Sequence, residues 1–269
     1  MSLEHIETEK IEVPVMADVF AMGRKPEYLY WVGCAGAFDD RYKKVSKAFV
    51  KILAHLHTSY AVLGSEETCT GDPARRAGNE MLFQMQAFTN IETFTRYDVK
   101  KIITTCPHCY NVFLNEYPDL GGKYEVIHYT QFLSKMIDDG KLVIDSQIFN
   151  DKKITFHDPC YLGRCNDEYD APRRILESVP SFKVEMKRNK SFALCCGAGG
   201  AQMFKEAEKG DKEIYMERTE EAISTGANII ATSCPFCMVM LTDGLKYKNK
   251  EEEIRNLDIA EIIAETMSL

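Results

Sequence analysis

The sequence predicts an α/β protein of two pseudo-symmetric halves, each a parallel sheet covered by helices, produced by duplication within one chain. Three observations predict it. Cysteines recur at fixed offsets: Cys34 and Cys160 lie 126 positions apart, as do Cys69 and Cys195, while Cys106–Cys234 and Cys109–Cys237 are each separated by 128. The flanks agree, since "KKIITTCPHCYNVFL" (100–114) and "ANIIATSCPFCMVML" (227–241) both read as apolar strand, small polar residues, C-P-x-C and apolar helix. In each half, short β-branched or aromatic runs alternate with helical periodicity, the pattern of a parallel sheet buried on both faces.

The elements follow in order. "EYLYWVG" (27–33) reads as a strand, and 38–59 carries a helical stripe of Tyr42, Val45, Phe49, Ile52, Leu53 and Leu56. "YAVLG" (60–64) is the second strand. A helix over 71–94 opens with Asp72 as N-cap and Pro73 in the first turn. "KIITT" and "YEVIH" (124–128) supply the third and fourth strands. The second half repeats the order with "KITFH" (153–157), a helix near 171–178, "FKVEM" (182–186), a long helix within 201–224, "NIIAT" (228–232) and terminal helices. Residues 1–27 read as an N-terminal extension, 28–138 as the first domain and 153–269 as the second, with 138–152 between them. Each half is therefore expected to be Rossmann-like.

The 269 residues are 45% apolar and 28% charged, enough apolar material to build a core without disulfide staples. A formal charge of −8, with scattered Lys and Arg, argues against a nucleic-acid binder, which needs clustered cations. No apolar run reaches the roughly 18 residues of a membrane span. "MSLEHIETEK" lacks the basic-then-apolar order of a secretory signal. A cytoplasmic location is expected, with membrane association only through a partner. In that reducing compartment ten cysteines read as metal ligands or redox groups.

Each sequence-distant cysteine falls just after a predicted strand, and open α/β sheets place their sites beyond the carboxyl ends of the strands. Cys34, Cys69, Cys106 and Cys109 are expected to meet at one end of the first sheet. Cys160, Cys195, Cys196, Cys234 and Cys237 are expected to meet at that end of the second. Four thiolates suit tetrahedral zinc or a [4Fe–4S] cluster, and five exceed both. Gly197, Gly199 and Gly200 let the backbone approach a bulky cofactor, and a following helix would turn its positive end toward an anion. Other readings remain open. "GAGGAQ" misses the last glycine of a dinucleotide loop, at Gln202. C-x-x-C also serves thiol–disulfide oxidoreductases, which need one such motif and no distant partners. Zinc at both sites leaves the fifth cysteine without a purpose. His157 is placed to hydrogen-bond near the second site, and Arg164 to offset charge or clamp an anion. Arg75 and Arg76 admit the same two roles or plain surface ion pairs. His108 corresponds to Phe236, which favours packing or surface. Cys165, outside the repeat, reads as a free thiol.

The pattern from Cys160 through Cys-Cys-Gly (195–197) to C-P-F-C (234–237) resembles the cysteine-rich CCG domain. Residues 28–267 as a whole are similar to the tandem-CCG iron–sulfur oxidoreductases. These include the CCG-bearing component of heterodisulfide reductase, the iron–sulfur subunits of lactate utilisation, glycolate oxidase and anaerobic glycerol-3-phosphate dehydrogenase, and the C-terminal part of quinone-linked enzymes. "HDPCYLGR", "CCGAGG" and "CTGDPARR" are closest to the quinone-linked branch. The resemblance implies a non-cubane [4Fe–4S] cluster on Cys160, Cys195, Cys196, Cys234 and Cys237, with Cys195 and Cys196 at the redox chemistry. The first half departs from the pattern, because Thr70 stands where Cys196 stands in the second. Its four cysteines suit an ordinary [4Fe–4S] cubane or zinc. Ferredoxin repeats of the C-x2-C-x2-C-x3-C type are absent from the sequence. A ferredoxin-domain iron–sulfur subunit, soluble or membrane-bound, or a flavoprotein dehydrogenase is therefore implied as partner. The expected function is an iron–sulfur electron-transfer subunit of a dehydrogenase or quinone-linked complex. A disulfide reductase subunit and a zinc-stabilised binding module are the alternatives.

Overall fold

Apolar residues fill both faces of the central strands, so the strands must be covered on both sides, and a computed structural model describing residues 12–206 and 209–269 shows how. In the first lobe β1 (Tyr28–Trp31), β2 (Tyr60–Ala61), β3 (Lys101–Thr104) and β4 (Glu125–His128) form one parallel sheet in the order β2-β1-β3-β4. In the second, β5 (Lys153–Phe156), β6 (Phe182–Lys183), β7 (Ile229–Thr232) and β8 (Arg255–Asp258) take the order β6-β5-β7-β8, again parallel. The registers match as well: Tyr30 pairs with Ile103, and Phe156, 126 positions on, pairs with Ala231.

Helices wrap the first sheet as α1 (Met16–Ala21), α2 (Gly33–Phe38), α3 (Tyr42–His55), α4 (Asp72–Arg76), α5 (Glu80–Arg96), α6 (Pro107–Asn111) and α7 (Tyr129–Asp138). The second sheet carries α8 (Gly163–Asn166), α9 (Asp170–Ser178), α10 (Ile214–Ser224), α11 (Pro235–Tyr247) and α12 (Ile259–Thr266). Matching side-chain caps start the helices after β4 and β8. His128 and Gln131 form one reciprocal cap, Asp258 and Glu261 the other.

One core serves both lobes. Tyr42, Phe49 and Phe132 from α3 and α7 pack in the same cluster as Ile175, Ile262 and Ile263 from α9 and α12. The connecting segment contributes Leu142 and Phe149 to it. Polar contacts run across the same seam: Arg41 Nη1 and Nη2 each lie 2.7 Å from Glu261, and Tyr129 Oη donates to Asp258 Oδ1 at 2.5 Å.

Several elements differ from the sequence expectation. The helix expected over 38–59 is the shorter α3, Tyr42–His55, which starts where Asp39 Oδ1 accepts the Tyr42 amide at 2.7 Å; the separate short α2 precedes it. The helix expected over 71–94 breaks at Gly78, whose φ of +88° ends α4; Asn79 then caps α5 by accepting from the Leu82 amide at 3.0 Å. Asp72 is no cap, because Gly71 occupies that position and the Asp72 carboxylate turns inward. Among the described residues, the long helix expected within 201–224 is a 3-10 turn at Gln202–Phe204 and then α10 from Ile214. Gly200 and Gly210, together with the charges between them, explain the shortening. The segment before β1 also reaches the first sheet, through a parallel bridge from Val15 to Val62.

Candidate metal centres

Strand order decides where the cysteines go. In each sheet the chain reverses direction of winding between the two central strands, which opens a crevice beyond their carboxyl ends. Cys34 follows β1, Cys69 follows β2, and Cys106 and Cys109 begin α6 after β3. These four thiols and Thr70 line one small cavity of about 10 Å³, with Asp72 and His108 beside them. The thiols, all free, couple in pairs, Cys34 with Cys69 and Cys106 with Cys109. Sharing a proton with Cys34 lowers Cys69 to about 6, helped by the Gly71 amide 3.4 Å from its Sγ, while Cys34 and Cys109 are pushed up.

The second lobe repeats the arrangement with one sulfur more. Cys195 bonds Cys160 and its neighbour Cys196, while Cys196 turns to Cys237, Sγ to Sγ 3.4 Å, and Cys237 bonds Cys234. The adjacent pair therefore faces two sides of one sulfur cluster. The Cys195 thiol is held far below the usual range by Cys160 and Cys196, and the Gly197 amide donates to it at 3.3 Å. Gly197 (φ +93°) and Gly71 (φ +88°) are equivalent residues in equivalent left-handed turns, each with its amide on the cysteine two positions before. At Gly199 a Cβ would meet no protein atom within 4 Å. The expected helix terminus after the glycines does not form. The helix starts facing sulfur are those of α6 at Cys106 and α11 at Cys234, each with Pro in the first turn.

His157 is buried, and its ring with Cys196 and Cys237 places candidate ligand atoms within 4.8 Å of one another. Burial and the adjacent Arg218 guanidinium push its imidazole down to about 3. Arg218, which the sequence reading missed, is fully buried on α10 and donates from Nε to His157 Nδ1 at 2.9 Å. Arg164, by contrast, stands exposed on α8, outside the ion pairs among the described residues. Arg75 and Arg76 are structural, both paired with Glu116, and Arg76 Nε is also 3.2 Å from Asp72 Oδ1. Cys165 is exposed and free.

His108 is neither at the surface nor confined to its own lobe. Its Nδ1 lies 2.9 Å from Asp72 Oδ2, its ring stacks on Tyr161 at 4.0 Å, and its side chain bonds Cys234 of the second set. Burial opposes charge on the ring, but Asp72 and Cys234 outweigh it and hold the imidazole up at about 10. Cys234 is correspondingly lowered to about 5; burial opposes this, and Cys237 and His108 prevail. Beside the second set an open cleft of about 450 Å³ borders Gly197 and Met240, with Lys205, Lys209 and Lys212 on its walls.

The cysteine-rich CCG domain model matches this chain twice, over residues 28–113 and 154–242. The probable iron-sulfur-binding oxidoreductase FadF of Bacillus subtilis is 43% identical over 97% of this chain and 37% of its own length. The EtfAB:quinone oxidoreductase of Syntrophomonas wolfei is 43% identical over 91% of the chain and 35% of its own length. One component of the dihydromethanophenazine:CoB–CoM heterodisulfide reductase of Methanosarcina barkeri is 35% identical over 91% of the chain and 60% of its own length. The chain thus spans little more than a third of the first two relatives.

Proposed function

The chain belongs to the CCG cysteine-rich-domain family, and from that premise we propose that it is an iron–sulfur redox subunit of a dehydrogenase or quinone-linked oxidoreductase. Cys160, Cys195, Cys196, Cys234 and Cys237 would hold a non-cubane-type [4Fe–4S] centre, and Cys34, Cys69, Cys106 and Cys109 a second centre of the cubane kind. When bound, such centres supply one-electron transfer. The observation carrying this reading is the gathering of five thiols around the divided pair Cys195–Cys196. Soft thiolates crowded this closely share protons, and a metal centre takes the place of those protons. The surroundings fit: His157 Nε2 is a buried ring nitrogen without a partner among the described residues.

Within this assignment the chain's own residues have distinct tasks. The Gly71 and Gly197 amides orient Cys69 and Cys195, and His108 with Asp72 keeps Cys234 in the thiolate form. His108, between two cysteines of the first set, interacts with Cys234 of the second, which favours a relay in the first lobe serving redox chemistry in the second. Thr70 in place of a fifth cysteine supports that division. Electrons would be exchanged with a ferredoxin-type iron–sulfur module or a flavoprotein dehydrogenase. Among the described residues no helix is long and apolar enough to cross a membrane.

Anaerobic purification followed by iron, sulfide and zinc analysis tests the proposal. Iron and sulfide in equal amounts are expected; zinc without sulfide would overturn it. The cleft beside Gly197 favours one second reading, a disulfide reductase that admits its substrate there, which steady-state reduction of small disulfides would reveal.

A further inference from the structure

Two buried ring N–H groups occupy equivalent positions in the repeat. Trp31 ends β1 and His157 follows β5, 126 positions later. Trp31 is 0% and His157 1% exposed, yet neither Trp31 Nε1 nor His157 Nε2 has a hydrogen-bond partner among the described residues. Buried polar groups in folded proteins are almost always paired, so the same omission at matched positions calls for a common cause. Both rings lie near a cysteine sulfur. A Cβ built on Gly33 would lie 3.5 Å from Cys109 Sγ and 3.8 Å from Trp31 Nε1, so the indole N–H and that thiol border the same point. The His157 ring lies with Cys196 and Cys237.

Proximity alone would also make His157 a metal ligand, and Arg218 decides against it. A guanidinium has only donors, so the nitrogen receiving Arg218 Nε–H, which is Nδ1, must be the unprotonated one. The proton of the neutral ring then sits on Nε2, which has no lone pair left for a metal. Arg218 is itself fixed, with Nη1 2.8 Å from the Arg188 carbonyl and 3.0 Å from Glu221.

We infer that Trp31 and His157 are matched N–H donors, one to each sulfur-ligated centre, and that Arg218 makes His157 a donor instead of a ligand. This rests on the iron–sulfur reading above. A donor to the sulfurs stabilises the more negative, reduced form of a centre and so raises its potential. Arg218 is a positioning residue that acts through His157.

The test is an electron-paramagnetic-resonance redox titration of the anaerobically prepared full chain, with iron and sulfide measured on each variant. Trp31→Phe should make the first centre's potential more negative and leave the second unmoved. His157→Leu should do the reverse, and His157→Gln, whose amide reaches as far as Nε2, should restore the original value. Iron and sulfide should stay at the wild-type level in all three. Loss of one centre's iron in both His157 variants would overturn the inference by making His157 a ligand. Full iron with unmoved potentials in Trp31→Phe and His157→Leu would overturn it too. Should His157→Leu not fold, His157→Gln decides by its iron content: wild-type iron and potential support the donor, missing iron the ligand. Wild-type protein devoid of iron and sulfide would instead overturn the iron–sulfur reading itself, and this inference with it.

Discussion

His108 of the first lobe interacts with Cys234 of the second, and its Nδ1 lies 2.9 Å from Asp72 Oδ2. A charged ring thus joins two loops that the chain separates by more than a hundred residues. Its neighbours are Tyr161 and Phe236, so the contact lies in a dry seam where removing one partner is expensive.

His108→Phe keeps the ring packing and copies the residue found at the equivalent position, Phe236. It leaves the Asp72 carboxylate with Arg76 alone. Unfolding of the reduced, metal-free chain in denaturant should show a loss of about 3 kcal/mol. Adding Asp72→Asn should return part of that loss, because the uncompensated charge is gone. Additive losses would mean that the two side chains do not interact.

Asp258 contributes a pH dependence in the alkaline range. Burial raises its carboxyl from 3.8 to about 8, against the hydrogen bonds of Tyr129 and the Ala260 amide. The folded state therefore holds this proton more tightly than the unfolded chain. The stability it gives is full below about 3.8 and lost as pH rises through about 8. Asp258→Asn preserves an acceptor for Tyr129 and has no proton to lose. The variant's thermal midpoint should exceed that of the wild type at pH 9 and approach it at pH 5.

Gly197 and Gly199 should behave differently on conversion to alanine. At Gly197, φ is +93° and a Cβ would stand 3.4 Å from the Tyr215 amide nitrogen. Gly197→Ala should cost about 1–2 kcal/mol of stability and disturb the amide bonded to Cys195. Gly199→Ala, with open space around its Cβ, should stay within about 0.5 kcal/mol of the wild type. Chemical denaturation of both variants side by side checks the contrast.

Cys196→Ser separates the two sulfur sets. Cys196 lies 3.4 Å from Cys237, Sγ to Sγ, and interacts with Cys195; the equivalent residue of the first lobe is Thr70. Spectra of the second centre should change and those of the first should persist. Unchanged spectra of both would remove Cys196 from the second centre.

Much of this architecture was legible because duplication writes it twice. Cysteine offsets and flanking strands placed both sulfur sets at the correct ends of two similarly ordered sheets. What stayed hidden depends on partners distant in the chain. Nothing local says that His108 reaches Cys234, or that Asp72 turns inward to meet it instead of capping α4. Arg218 left a faint trace: it lies four residues before Ala222 on the buried face of α10, where an apolar residue is expected. The stretch after Cys196 misled for the opposite reason, since helix-forming residues surround Gly210 but no apolar stripe anchors them before Ile214.

The core shared by α3, α7, α9 and α12 has a consequence for how this protein can be cut or copied. Severed at the connecting segment, each half would carry a broad oily face into water and lose Leu142 or Phe149 from its seal. Such a fragment has one evident remedy, a twin of itself laid against the exposed face about a twofold axis. The tandem chain is in this sense a dimer whose subunits have been tied together.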